Sequence, residues 1–248
     1  MIISHKFKFI FIKNARTAST SIETFLSPIC GPDDVVTPFS VPERGHQPRN
    51  YKKCFNPIPE IIKELTMKGE GPGWRGAIRD LMKRRKFYHH IPGWIIKERL
   101  PQAMWEDYFK FCVVRHPLEK IISGWHWYQK KYGVTISMDG YLDFCASRIS
   151  ARSHGVGVCP FNLYNYIDPK DGSILVDRFI RYENLNEELQ LIFNKLGVSF
   201  CSPLSIYAKK ITCNEGIKYH EFFTQRQRDT IKKLFTREFE MHGYPMLF

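Results

Sequence analysis

The sequence predicts an α/β fold built around a mainly parallel β-sheet flanked by helices. Two short apolar runs, at residues 7–12 and 108–114, each lead into a polar loop and then into a helix-like segment. Further amphipathic segments with recognisable ends follow them along the chain. Strands that alternate with helices are typical of this class. Ligands in such sheets bind at the carboxyl ends of the strands, so we expect the two loops to share one crevice.

The first apolar run is too short for anything except a strand. It spans six residues interrupted by lysine, whereas a membrane-spanning helix needs about 20. No signal-peptide cleavage pattern accompanies it, and no later segment reaches membrane length, so we expect a soluble chain without a membrane span. The seven cysteines are scattered without a C-x-x-C pair. That pattern predicts neither a metal site nor a disulfide framework, and it favours the cytoplasm.

The remaining elements follow from periodicity and end signals. Residues 31–73 are rich in proline and predicted to be irregular, with short helices at about 58–68 and 74–85. Later elements are a helix after Pro92, a strand at Tyr108–Val114, a helix from Leu118, a strand at Ile174–Ile180, a helix capped by Asn184 that stops at Gly197, and a last helix between Thr224 and Gly243.

Length and charge limit the range of functions. The 248 residues, of which 43% are hydrophobic, suit a single domain spanning 1–248. A net charge of +12, from 37 basic and 25 acidic residues, favours an anionic ligand or partner. The basic run at 83–86 has two interpretations, a solvated surface or a functional patch.

The loop after the first strand has the composition of an anion site. It carries Arg16 and four hydroxyl residues at the start of a helix, where unpaired N–H groups and the helix dipole attract anions. It lacks the glycines of a nucleotide-hydrolysing phosphate loop. The second strand ends in Arg115, where such enzymes need a metal-binding acid. Arg115 and Ser123, eight residues later, could hold one phosphate together.

These motifs resemble a known family. Ala15-Arg16-Thr17-Ala18-Ser19-Thr20-Ser21, the Val113-Val114-Arg115-His116-Pro117 segment with Ser123, the Val176–Leu185 segment and His90-Ile91-Pro92-Gly93-Trp94 together resemble sulfotransferases that use 3′-phosphoadenosine 5′-phosphosulfate (PAPS). The resemblance is to the carbohydrate branch that includes heparan sulfate 2-O-sulfotransferase and bacterial relatives. It implies a P-loop-like, nucleotide-kinase-like sheet, and it leaves out residues 30–85 and 150–172, which would shape the acceptor site.

The resemblance also implies a role for each matched residue. Arg16 stands where the family usually has a lysine near the bridging oxygen of the donor, and His90 matches the general base. The set that would hold PAPS, or its product 3′,5′-ADP, is Arg16, Thr17, Ala18, Ser19, Thr20, Ser21, Arg115, Ser123 and Tyr182. No metal is implied. The acceptor would be a glycan or another hydroxyl compound, itself possibly anionic.

Other interpretations stay open at this point. Glu23, Glu43 and His46 are alternative bases if His90 is not used. A P-loop kinase for nucleotides or small molecules is a second enzyme class, disfavoured by the missing glycines. A non-catalytic polyanion-binding module would explain the charge but not two anion loops at strand ends, and no nucleic-acid motif is present. The acceptor's identity and the oligomeric state are not encoded in any recognisable pattern.

Overall fold

A five-stranded sheet forms the centre of the protein. The computed structural model describes residues 1–67, 74–150, 158–198 and 222–246. The strands are β1 (Ile2–Ser4), β2 (Phe9–Ile12), β3 (Val35–Val36), β4 (Phe109–Val114) and β5 (Arg178–Arg181), and they lie in the order β3-β1-β2-β4-β5. The predicted α/β class is therefore confirmed.

The sheet is mixed, and this refines the expectation of a mainly parallel one. β2, β4 and β5 run parallel, with Phe11 opposite Phe111 and Cys112 opposite Phe179. β1 pairs antiparallel with both β2 and β3. The three parallel strands therefore end at the same edge of the sheet, which is the edge that carries the predicted anion loops.

Helices surround this sheet. They are α1 (Ser19–Leu26), α2 (Ile58–Thr66), α3 (Trp74–Met82), α4 (Gly93–Arg99), α5 (Gln102–Asp107), α6 (Pro117–Tyr132), α7 (Met138–Ser150), α8 (Leu163–Tyr166), α9 (Leu185–Lys195) and α10 (Gln225–His242). The helices predicted near 58–68 and 74–85 are confirmed with earlier ends, residue 68 lying outside the described residues. No helix in the described ranges is long and apolar enough to cross a membrane.

Alternation along the strands builds a core on each face of the sheet. Ile10 and Ile12 of β2 join one cluster with Trp94 of α4, whereas Phe9 and Phe11 join the opposite cluster with α1 and α9. Successive strand side chains point to opposite faces, so a strand buried on both sides reads as a continuous apolar run. A third cluster joins α6, α7 and α10.

One predicted boundary is wrong, and one predicted cap lacks its hydrogen bond. The strand expected at Ile174–Ile180 begins only at Arg178, since Ile174 instead forms an isolated bridge with Ile167. Asn184 does precede α9, but its side chain makes no capping hydrogen bond. The last helix does have its predicted ends: Thr224 and Gln227 form a capping box, and Gly243 adopts a left-handed conformation with φ 61°.

Candidate anion-binding site

The ends of β2, β4 and β5 bring the predicted site residues to one edge of the sheet. The Asn14 side chain donates to the Val113 carbonyl at 2.9 Å, which ties the loop after β2 to β4. The Arg115 guanidinium lies 4.2 Å from the centre of the Tyr182 ring, which ties the end of β4 to the end of β5. The geometry thus places all three chain segments side by side.

The loop between β2 and α1 turns its backbone N–H groups outward. Arg16 and Ala18 have left-handed conformations, with φ 63° and 55°. Such φ values are costly for residues other than glycine and concentrate at functional sites, and alternating conformations of this kind form concave anion-binding nests. Within the described part of the chain, the N–H groups of residues 16–21 donate no hydrogen bond. They are the donors that an anion would find here.

The hydroxyl side chains of this loop divide into two groups. Thr17 and Ser19 are buried; Ser19 donates to the Asn14 carbonyl at 2.7 Å, and the Thr17 hydroxyl lies 2.7 Å from the Ser19 hydroxyl and 3.3 Å from the same carbonyl. Their hydroxyls therefore hold the shape of the loop, and what these residues offer a ligand is their N–H groups. Thr20 accepts from Lys13 at 3.3 Å. Ser21 is partly exposed, and within the described residues its hydroxyl makes no hydrogen bond.

Among the described residues, Arg16 has an aromatic neighbour but no carboxylate partner. Its guanidinium lies 4.3 Å from the centre of the Trp127 ring. Its Nε is buried, and no described residue accepts a hydrogen bond from it. By contrast, the buried lysine and arginine side chains of the described residues each contact a carboxylate; these pairs are Lys13–Glu23, Arg99–Glu60, Lys110–Asp177 and Lys120–Glu238. A sheltered cation to which the described residues bring no counter-charge is a candidate for binding an external anion.

The pKa of Arg16 reflects the same surroundings. The pKa of Arg16 is lowered to about 10, mainly by burial; Tyr141 opposes this shift, and the nearby Arg115 guanidinium adds to it. Arg16 therefore stays protonated at neutral pH but is less stable as a cation than an exposed arginine. Because Arg115 is close enough to repel it, one polyanionic ligand could relieve both charges.

Arg115 and Ser123 lie at the start of α6. The Arg115 Nε donates to Glu119 at 3.0 Å, so part of its charge is already compensated. Ser123 is partly buried, and its hydroxyl makes no hydrogen bond to any described residue. His116 caps the helix by accepting from the Leu118 N–H at 3.3 Å, which fits the structural role its position suggests.

His90 is held in the geometry of a base. It has φ 57°, and its Nδ1 lies 3.1 Å from the Lys13 carbonyl. A carbonyl can only accept, so Nδ1 carries the proton and Nε2 has a free lone pair. Burial, with His89 and Lys13 nearby, lowers the pKa of His90 well below its usual value. His90 is therefore neutral at pH 7.

Gly93 allows His90 to reach this position. A Cβ atom at Gly93 would lie 2.6 Å from the Asn165 carbonyl oxygen and 3.0 Å from Ile12. The start of α4 can approach β2 and α8 only because this residue has no side chain. His89 lies beside His90 with ring centres 4.1 Å apart, and both residues are in a turn.

The alternative bases fit less well. Glu23 is completely buried and accepts hydrogen bonds from Lys13 and from the Met1 amino group. These cations lower the pKa of Glu23 to about 2 against the effect of burial, so it is a structural anion. His46 Nε2 lies 2.9 Å from the Thr37 carbonyl, and its ring stacks on Phe39. Glu43 lies between β3 and α2.

Two asparagines that sequence analysis did not single out hold the loop. The N–H of Ala15 donates to the Asn162 side chain at 2.8 Å, and that side chain donates back to the Ala15 carbonyl at 3.0 Å. Asn165 donates to the Asn14 side chain at 3.0 Å. The N-x-x-N spacing at one end of α8 was the available signal, but it is common. Residues 158–166 thus support the anion loop.

Comparisons with known proteins add a relative but no family. A protein of Archaeoglobus fulgidus, described only as uncharacterized, is 26% identical over 109 residues, which cover 44% of this chain and 83% of the relative. No protein-family model matches the chain. No solved structure is significantly similar to it.

The site as a whole combines anion donors with one neutral base. It brings together the loop N–H groups, Arg16, Arg115 and Tyr182, with His90 joined to the same loop through Lys13. The described residues contain no cluster of three or more His, Cys, Asp or Glu side chains placed to hold a metal ion. Such an arrangement can bind a ligand with two separated phosphate groups and accept a proton beside it.

Proposed function

We propose that this protein is a sulfotransferase that moves a sulfuryl group from PAPS to a hydroxyl group of a carbohydrate. The observation that carries the proposal is Arg16, a sheltered guanidinium to which the described residues bring no carboxylate, at a loop whose N–H groups donate to none of those residues. The motif resemblance selects PAPS among the possible anions. The helix that follows β2 and the three parallel strands support a P-loop-like arrangement.

The residues present fit the two ends of this donor. The N–H groups of residues 16–21, the Ser21 hydroxyl and Arg16 would hold the 5′-phosphosulfate. Arg115 and Ser123 would hold the 3′-phosphate, since arginine offers paired N–H donors to phosphate oxygens. Tyr182 stacks against Arg115 and would therefore lie beside the adenosine.

The donor supplies the sulfuryl group, and the residues of this chain supply orientation, charge and a base. His90 Nε2 would take the proton from the acceptor hydroxyl as the oxygen attacks the sulfur. A positioned base of this kind contributes about 10²- to 10⁴-fold to the rate. Arg16 would stabilise negative charge that develops on the departing phosphate; because arginine stays protonated, this role is electrostatic and not proton donation.

Calorimetry with 3′,5′-ADP tests the proposal directly. We expect saturable 1:1 binding, followed by transfer of labelled sulfate from PAPS to members of a panel of glycans, small alcohols and phenols. Absence of 3′,5′-ADP binding would contradict the proposal. Magnesium-dependent transfer of phosphate from ATP would instead assign a kinase, and binding only to long polyanions with steep salt dependence would assign a polyanion-binding module.

A further inference from the structure

The two helices that follow β3 expose an unusual amount of apolar surface. Twelve large hydrophobic side chains are exposed in the described part of the chain, and six of them are on α2 and α3. They are Ile58, Ile62 and Leu65 on α2, and Trp74, Ile78 and Met82 on α3. Leu65 and Met82 are 72% and 81% exposed. Scattered exposed hydrophobic residues are ordinary, but such a concentration marks an interaction surface.

Both helices expose apolar residues and bury acidic ones, which is the reverse of an ordinary amphipathic helix. Glu60 and Glu64 are on the buried side of α2, and Asp80 is on the buried side of α3. On α2 the exposed residues Ile58, Ile62 and Leu65 recur at the spacing of one helix face. A solvent-facing helix normally places its charged residues outside. The reversal indicates that the outer face is covered by something apolar when the protein works.

One buried arginine fixes the orientation of both helices. Arg99 of α4 donates to Glu60 at 2.7 and 2.9 Å and to Asp80 at 3.2 Å. Because both acidic side chains point at the same guanidinium, the apolar faces of α2 and α3 both point away from the protein. The two stripes therefore belong to one surface, built on a rigid ionic support.

The exposed charges described on these two helices and in the turn after α3 have a single sign. The exposed charged residues on the described parts of α2 and α3 and in the turn after them are Arg75, Arg79, Lys83 and Arg84. The acidic residues of the same helices are buried. The Arg75 guanidinium lies 5.3 Å from the centre of the Trp74 ring, so a cation and an amphipathic ring stand together at the beginning of α3.

We propose that α2 and α3 dock on an anionic membrane surface. Apolar side chains with tryptophan beside lysine and arginine suit the boundary between lipid headgroups and acyl chains. Each basic residue close to an anionic bilayer adds about 1 kcal/mol of attraction. A second copy of this chain fits less well, since a symmetric contact would bring the same basic residues of both copies together.

Vesicle flotation tests this proposal with the full chain. We expect the protein to float with phosphatidylcholine vesicles that contain phosphatidylserine, and to stay in the soluble fraction with phosphatidylcholine alone. Replacing Ile62→Asn and Leu65→Gln together should weaken binding at least about tenfold. Replacing Lys83→Gln and Arg84→Gln together should weaken it roughly thirtyfold at low salt, and high salt should weaken the wild type similarly.

Matched control variants distinguish binding through this surface from nonspecific binding to vesicles. Leu191→Gln removes a leucine that is 64% exposed on α9, and Lys232→Gln with Lys233→Gln removes two exposed charges from α10. These changes should leave flotation within about twofold of wild type. Equal binding by wild type and the Ile62/Leu65 variant, or no binding to anionic vesicles at low salt, would overturn the proposal.

Two further measurements show what this surface does if it does not bind membranes, and whether the anion site is affected. A concentration-dependent dimer that the Ile62/Leu65 change abolishes would assign the surface to a second copy and overturn the proposal. Binding of 3′,5′-ADP should be the same in every variant, because none of the substituted residues is in the anion site. Flotation can therefore fail while the proposed function stands, and the reverse also holds.

Discussion

The Asn162 side chain pairs with the main chain of Ala15 as a second strand would, donating one hydrogen bond and accepting one, at 3.0 and 2.8 Å. The Asn162 N–H also donates to Glu238 at 3.3 Å, and Glu238 pairs with Lys120 of α6. A single buried network therefore joins the anion loop, α6 and α10. The loop keeps its conformation because partners far along the chain satisfy its backbone.

We expect Asn162→Ala to weaken binding of 3′,5′-ADP and to lower stability. The change leaves the buried N–H and carbonyl of Ala15 unpaired, and each unpaired group costs about 1–3 kcal/mol. Asn162→Asp keeps the acceptor for the N–H and should give an intermediate loss. Calorimetric binding and thermal unfolding are measured together. A lower melting temperature with unchanged affinity at a temperature where the variant is folded would reduce Asn162 to a purely structural role.

Arg16→Met should separate ligand binding from stability. Loss of the charged donor is expected to weaken 3′,5′-ADP binding by about 1.5–3 kcal/mol, or roughly 10- to 150-fold. The unliganded variant should melt at the same temperature or higher, because it no longer shelters an uncompensated cation.

The contrast is Arg99→Met, which removes a cation paired with Glu60 and Asp80 and leaves both acids buried. We expect that variant to lose about 3–5 kcal/mol of stability. An Arg16→Met protein that is destabilised to the same extent would show that Arg16 has a partner within the fold.

His90→Gln is expected to abolish turnover while leaving donor binding intact. The loss in kcat should be about 10²- to 10⁴-fold. In the wild type the pKa of His90 is lowered, so Nε2 stays deprotonated as pH falls through 6.5. The acid limb of kcat/KM should therefore lie below pH 6.5. His46→Gln is the control and should change kcat little, because the His46 Nε2 is engaged with the Thr37 carbonyl and the other ring nitrogen, Nδ1, is buried away from solvent. A large loss of kcat in the His46 variant, with none in the His90 variant, would show that His46 and not His90 is the base.

Mild acid should destabilise the protein through its buried histidines. Burial, with Lys120 and Arg181 nearby, lowers the pKa of His242 to about 3, and burial with Lys13 nearby lowers that of His89 to about 2. Between pH 6.5 and 3 the unfolded chain binds protons that the native state does not, so stability falls with pH by up to about 1.4 kcal/mol per unit for each such histidine. Thermal melts across pH 7.5 to 5 measure this slope, and His242→Gln should flatten it.

Gly93→Ala should disturb both the fold and the base. The new methyl group would meet the Asn165 carbonyl at 2.6 Å, and overpacking of this kind costs about 1–3 kcal/mol. Gly31→Ala is the control, since a Cβ there meets nothing closer than 3.8 Å. Equal melting temperatures for the two variants would contradict the close approach of α4 to α8.

The sequence was most informative where a local pattern decides the structure. The apolar runs in β2 and β4 are long enough to identify, and the end signals at Thr224 and Gly243 are both found at α10. β1 and β3 contain only three and two residues, too few to show a period, and their antiparallel pairing depends on contacts that no local pattern records. The mixed sheet was missed for that reason.

The residues of the candidate site also divide into those that a local pattern predicts and those that depend on contacts with distant residues. Arg16 and Arg115 could be selected because residue type and position after a strand indicate an anion site, whereas His90 was selected only through the motif resemblance. The sequence could not show that the hydroxyls of Thr17 and Ser19 bond within the loop. The same loop sequence is compatible with hydroxyls that bind a ligand and with hydroxyls that hold the loop together. The roles of Asn162 and Asn165 depend on partners about 150 residues away in the chain. Motifs identified the donors, and only the folded chain showed what holds them.

Arg16, to which the described residues bring no counter-charge, has a practical consequence for finding what this protein binds. A compound that neutralises this guanidinium adds its binding energy to the folded state alone, and the melting temperature then rises with its concentration. A fluorescence melt against a library of nucleotides and sugar phosphates would rank candidate ligands without an enzymatic assay.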